Sequence, residues 1–277
     1  MSPGIEPEVA HAYNGARTTA WARRAQNNRV PHEPESERAM PGRNAFLNAL
    51  PSDVFDALRP RLRKRELPLG DVLFVDGNKI DLVYFLHAGA ISLVTELEGG
   101  AMIESAMVGC DSVVGGAAAL NHGEAMYKAI VQNPGIASTL DTDTARQLAR
   151  ASEPFRAALH RHEQLISAQA QQSTACNAAH GLEERLARWL LRVRDVTESN
   201  TFVRTQEFIA EMLGVRRTSD SIIAHTLQQA GIISYQRGHI EIKKVEALED
   251  TDCECYRVIK TRYQRLHQAQ PQQCSGS

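Results

Sequence analysis

Residues 214–231, GVRRTSDSIIAHTLQQAG, hold the densest set of side chains suited to gripping an anionic polymer. Arg216, Arg217, Thr218, Ser221 and His225 share the outer face of a helical stretch, with Ser219 beside them. Arginine holds guanine bidentately or pins a phosphate, and serine and threonine serve either role. Such a helix works only if a second helix fixes its angle. The upstream stretch TQEFIAEML supplies one: Ala210 is small where the second helix crosses, and Gly214 lies four residues on, where the turn must be tight. Ile209 and Leu213 complete the inner face of the first helix. Ile223 and Leu227 continue it on the second, where an apolar stripe is expected at 220, 223 and 227. Asp220 breaks that stripe.

The neighbours add contacts to the sugar–phosphate backbone. Thr205 is placed to cap the first helix, with Gln206 after it, leaving backbone amides free for phosphate. Downstream, IISYQRGHIEI reads as a β-ribbon whose tip carries Arg237, Gly238 and His239. With Arg204, Lys243 and Lys244, basic residues crowd this region, although the formal net charge of the 277-residue chain is −2. Any nucleic-acid surface is therefore local.

The rest of the chain falls into segments of different character. Residues 1–42 are rich in Pro, Glu, Asn, Arg and Ala without periodicity and read as a disordered tail. Residues 43–65 have helical spacing at Phe46, Leu47, Leu50, Val54, Phe55 and Leu58. Residues 66–141 alternate short apolar runs with Gly70, Gly77, Gly89, Gly109, Gly115 and Gly116, at roughly the 8–12-residue spacing of a β sandwich or roll. Residues 142–180 turn helical. There Phe155, Leu159, His162, Ile166, Gln169, Ser173 and Cys176 step by fours and threes, a partly polar heptad seam whose first six members are the expected dimer contacts. Such a face either pairs with a second copy or packs on the chain's own sheet; the spacing favours the pair. A further amphipathic helix covers 181–197, and 245–268 is helical and charged.

Composition narrows the function classes. Hydrophobic residues at 43% and aromatics at 5% suit a globular chain long enough for two cored domains. No apolar run approaches the length of about 18 residues that spans a membrane, and no signal pattern opens the chain, so a cytoplasmic location is expected. The five cysteines then read as reduced thiols. Cys253 and Cys255 are separated by one residue, not the usual zinc spacing, and no paired histidines follow, so they read as surface or half-buried thiols, with no metal and no cofactor. No nucleophile–base pair or phosphate loop marks an enzyme.

The β-roll pattern, the long helix and TQEFIAEMLGVRRTS…AHTLQQAGIISYQRGHIEI together resemble the Crp/Fnr superfamily of bacterial transcription regulators. The likeness spans about 45–265 and is most specific in the C-terminal third. It implies an α+β fold: an N-terminal β-roll (a cyclic-nucleotide-binding-like jelly roll, 43–148), a long dimerisation helix (149–180) and a C-terminal winged helix-turn-helix (181–270), followed by a tail at 271–277. It implies a homodimer on double-stranded DNA at a palindromic operator, half-sites about one helical turn apart, with RNA polymerase as a possible partner and no membrane. The family's base-reading positions fall on Arg217, Thr218 and Ile222. Its nucleotide binders carry a glutamate after a glycine, and an arginine followed by a small hydroxyl residue; here Gly116, Met126 and Tyr127 stand at those places, with Lys128 displaced. A buried phosphate without its cation costs several kcal/mol, so cyclic AMP or GMP is not the expected effector, and the effector is unassigned. Iron–sulfur relatives need clustered cysteines near the N-terminus, and none precedes Cys110. His87 or His122 could ligate haem, but a lone histidine is more often structural. The alternative from another class is an interaction protein that keeps the fold, dimerises or titrates a partner, and binds DNA poorly.

Asp220 bears on that choice. Turned inward it is buried without a partner, turned outward it repels phosphate or accepts from a cytosine amino group, and paired with Arg216 or Arg217 it ties up the readers. Asp220→Val is expected to tighten duplex binding and to raise stability by roughly 1–3 kcal/mol; an unchanged or lowered melting temperature contradicts this.

Overall fold

The structure is a computed structural model describing residues 44–121, 123–215, 224–236 and 238–268. The chain starts with two short helices, α1 (Ala45–Asn48) and α2 (Ser52–Leu58). Strands β1 (Arg63–Leu67), β2 (Val72–Phe74), β3 (Leu82–Glu96), β4 (Met102–Val108), β5 (Val113–Val114) and β6 (Lys128–Asp141) follow, with a one-turn helix α3 (Ala117–Leu120) before β6. All pairings are antiparallel. The order is β1-β6-β3-β4, with β2 on β6 and β5 on β3.

The long partners β3 and β6 shift register between Leu86 and Ile91. Gly89 lies there at φ 90°, and a Cβ on it would sit 2.7 Å from the Asn133 carbonyl oxygen. Gly135 opposite would press a Cβ onto the Ala88 carbonyl oxygen. Only glycine permits so close a backbone crossing, and the bulge curls the sheet. Alternation along β3 then serves several cores. Tyr84, Leu86, Ile91 and Leu93 line the roll interior with Phe74, Val108 and Val131. Val83 and Phe85 face Phe46, Leu58, Phe155 and Leu159. Ala90 and Val94 face the C-terminal part of the chain. Burial on both faces accounts for the near-continuous apolar run LVYFL.

Helix α4 (Thr142–Ala151) starts on the side-chain cap of Asp141, and α5 (Glu153–Ala179) on that of Ser152 with Pro154 in its first turn. All six residues expected to form the dimer seam (Phe155, Leu159, His162, Ile166, Gln169 and Ser173) are buried inside the single chain. Phe155 and Leu159 pack on the roll. His162 Nε2 accepts from the Val113 amide at 3.2 Å and bonds the Ser112 hydroxyl. Gln169 donates to the Met107 carbonyl at 3.5 Å and accepts from the Tyr263 hydroxyl at 2.8 Å. His162 and Gln169 are thus met by this chain's own sheet and C-terminal helix, the packing the heptad spacing disfavoured.

Helix α6 (Leu182–Thr197) leads to a second sheet of β7 (Thr201–Val203), β9 (His239–Ile242) and β8 (Ile233–Gln236), in that order. Between β7 and β8 lie α7 (Gln206–Leu213) and the helical residues 224–229, here α8. Helices α9 (Val245–Thr251) and α10 (Glu254–Gln268) end the described chain, and α10 lies on α5 through Leu165, Ile259 and Tyr263. Among the described residues no helix is long and apolar enough to cross a membrane. Cys253 and Cys255, expected as surface or half-buried thiols, are 4% and 1% exposed. His87 is a core residue whose Nε2 meets the Ser138 hydroxyl at 2.7 Å, and His122 lies outside the described residues.

Candidate nucleic-acid interface

The helix pair is built as the spacing requires. Thr205 caps α7 by accepting from the Phe208 amide at 3.1 Å. Phe208, Ile209, Ala210, Met212 and Leu213 are all buried, so α7 is a scaffold and not a reading element. Gly214 ends it at φ 65°, donating to the Ala210 and Glu211 carbonyls, and the Val215 amide also returns to Ala210. That left-handed stop produces the sharp turn. Across it, α8 buries Ala224 and Leu227 and exposes His225, whose ring meets the Gln229 amide nitrogen at 3.1 Å. A second left-handed glycine, Gly231 at φ 67°, closes α8.

The wing is stitched to the start of α7. Val203 pairs with His239, the Arg204 amide donates to the Gly238 carbonyl at 2.6 Å, and the Tyr235 hydroxyl donates to the Arg204 carbonyl at 3.1 Å. Thr205 and His239, both exposed, therefore flank one edge, and Gln206 is the first residue of α7 behind them. The expected readers Arg216, Arg217, Thr218, Ser219 and Ser221, the family position Ile222, Asp220 and the wing's Arg237 lie outside the described residues.

Arg204 departs from the expected basic cluster. It is 4% exposed; its guanidinium holds Asn133 Oδ1 on β6 and lies 5.2 Å over the Phe208 ring. Burial pushes its pKa down to about 9. It clamps the helix pair to the roll instead of facing a duplex. Sequence reasoning missed it because counting charges says nothing about their burial. Beside it Glu104 on β4 accepts from Trp189 Nε1 at 3.1 Å and from the Ser92 hydroxyl at 2.5 Å. Burial raises the Glu104 carboxyl from 4.5 to about 7, against the opposing pull of Ser92, Arg188, Trp189 and Arg192. Arg192 pairs with Asp111 at 2.7 Å, donates to the Met107 carbonyl at 2.9 Å and stacks 4.3 Å over Tyr263.

These two units match known sequence families. The profile of the cyclic nucleotide-binding domain matches residues 64–152, and that of the Crp-like helix-turn-helix domain matches residues 184–251. The class is therefore a sensor-type roll joined to a winged helix-turn-helix. The chain belongs to the Crp/Fnr superfamily of bacterial transcription regulators. Among solved structures it resembles FixK2 from Bradyrhizobium japonicum at 15% identity, with a TM-score of 0.59 over 69% of this chain and 98% of that one. A Crp/Fnr-family regulator from Eubacterium rectale gives 16% identity and a TM-score of 0.60, over 74% and 96% of the two chains. The c-di-GMP-responsive regulator CLP of Xanthomonas campestris gives 13% and 0.58, over 69% and 99%. No curated protein matches the chain in sequence.

The roll–helix contact predicts a pH dependence. A carboxyl whose pKa rises on folding contributes stability that is complete below its unfolded value and is lost as pH climbs through the folded value. Glu104 is thus expected to weaken the fold between pH 4.5 and about 7, by a sum on the order of 3 kcal/mol. Glu104→Gln keeps both hydrogen-bond partners and removes the titration. Its melting temperature, followed from pH 5 to about 8, should gain steadily on the parent; parallel curves contradict the assignment.

Proposed function

We propose that this protein is a homodimeric, sequence-specific regulator that reads a palindromic operator from the cytoplasm and is not controlled by cyclic AMP. One observation carries the reading: a capped scaffold helix, a left-handed glycine turn and a second helix with a buried inner face, with the wing tied to the scaffold's first turn. That is the geometry that lays a helix in the major groove with flanking backbone contacts.

Independence from cyclic AMP is supported at four positions. A Cβ on Gly116 would stand 3.1 Å from both Glu163 Oε1 and Leu159 Cδ2, so α5 occupies the space a glutamate would need. Met126 is 79% exposed, and Tyr127 lays its ring on Phe74 at 5.6 Å. Lys128 is held by Glu96 at 2.7 Å. Dimerisation through α5 then falls to its other face, where Arg161, Gln164, Ala168, Gln171 and Ala175 alternate by threes and fours, all exposed except the half-buried Ala168.

Selection from random duplexes tests the reading. A palindrome should emerge, identical with and without cyclic AMP, with affinity falling steeply as salt rises. Arg217→Ala is expected to cost about 1–3 kcal/mol and to relax the preference at one base of each half-site. Weak binding without enrichment favours the interaction protein instead. Gln164→Glu with Gln171→Glu places like charges across the proposed helix pair and should shift sedimentation toward the monomer; a persistent dimer would move the interface elsewhere.

A further inference from the structure

Away from the helix pair, four potential metal ligands converge where α5 ends. Cys176 lies in the last turns of α5, and His180 is its C-cap, four residues on and over the same face. Cys253 comes from the junction between α9 and α10, and Cys255 from the first turn of α10. Their ligand atoms all lie within 4.8 Å of one another. Cys176 Sγ stands 3.6 Å from Cys253 Sγ, and Cys255 Sγ stands 3.6 Å from His180 Nδ1. We propose that Cys176, His180, Cys253 and Cys255 form a structural Zn²⁺ site that pins the C-terminal helices to the end of the long helix.

The distances carry the argument. A tetrahedral zinc with sulfur at about 2.3 Å and nitrogen at about 2.0–2.1 Å puts its ligands about 3.8 Å apart for sulfur pairs and about 3.6 Å for sulfur and nitrogen. The two observed edges fit that tetrahedron within the tolerance expected of a site before metal enters. Three cysteines and one histidine are a closed, structural ligand set, with no position left for substrate. A cluster of two or more irons spreads its ligands over several metal atoms and does not suit so tight a group.

The surroundings point the same way. The other ring nitrogen of His180, Nε2, faces Glu254 Oε2 at 3.2 Å, which would fix the tautomer that leaves Nδ1 for the metal. Gln172 Nε2 points at Cys255 Sγ from 3.1 Å. Three thiolates on a divalent ion leave one net negative charge. Arg188 and Arg185 on α6 both act electrostatically on Cys176 and would balance it.

The test is metal analysis of the full chain, purified under reducing conditions, followed by replacement of zinc with Co²⁺. One zinc per chain and the intense visible bands of tetrahedral thiolate-bound cobalt are expected. Cys253→Ala and His180→Ala should lose the metal, while Cys110→Ser and Cys274→Ser keep it. Glu254→Gln replaces no ligand and should still fold; its affinity for added Zn²⁺ should fall about 10–100-fold. Trace zinc with no cobalt spectrum overturns the proposal, as does a Cys176–Cys253 disulfide in metal-free protein. So does loss of metal in Cys274→Ser alone, which would place the ion on the tail. None of these readings depends on DNA binding, so the metal site and the regulator can fail separately.

Discussion

The β3–β6 pairing, pinched at Gly89 and Gly135, is the constraint that organises the molecule. The two strands cross so closely that a side chain at either glycine would enter the other backbone. The sheet therefore curls, and its long strands acquire two buried faces. The inner one closes the roll. The outer one is shared: near one end of β3 it receives α1, α2 and α5, and near the other it receives α6 and α7. A flat sheet would have buried one face and left the helix pair to dock elsewhere.

Docking on that outer face brings polar groups with it. Arg192 is buried and engaged by Asp111, the Met107 carbonyl and the Tyr263 ring, with its Nε left unpaired. Arg204 reaches from the helix pair to Asn133 on the roll, and Glu104 receives Trp189 from α6. Burying such groups costs desolvation, and a buried ionic contact is weak evidence of net stability. What these contacts supply is register, because a helix pair shifted along the sheet would leave each of them unpaired. Apolar burial by Met102, Met107, Trp189, Phe208 and Leu213 carries the adhesion.

The helix-turn-helix was legible in the sequence because its rules are local: Thr205, Ala210, Gly214 and Leu227 stand at short fixed spacings and take the roles those spacings imply. The roll was legible as glycine-punctuated strands, but the Gly89–Gly135 crossing was not, since register joins residues distant in sequence. The seam on α5 shows the limit of periodicity. Steps of three and four establish that one face of a helix is buried, and Phe155 through Ser173 are buried. They do not say by what, and α10, some 90 residues downstream, is part of the answer. The cysteines fail for the same reason. Judged on its own spacing, the Cys253–Cys255 pair lacks partners; those partners are 77 and 75 residues upstream, at Cys176 and His180.

These distant contacts meet along one line. Helix α10 touches α5 through Tyr263 and Gln169, touches α6 through Arg192, and begins at the cysteine cluster beside the end of α5. The Tyr256 hydroxyl, one turn into α10, donates to Asp195 of α6 at 2.8 Å. The C-terminal helix thus lies between the helix that leaves the roll and the helix that enters the reading domain. Neither α5 nor α6 can turn about the junction near Gly181 without also moving α10. A shift of the reading domain relative to the roll would therefore strain the Tyr263–Gln169 hydrogen bond to α5 or the Tyr256–Asp195 hydrogen bond to α6. Through Tyr263 and Arg192, α10 and α6 are thus held to one another and to the roll.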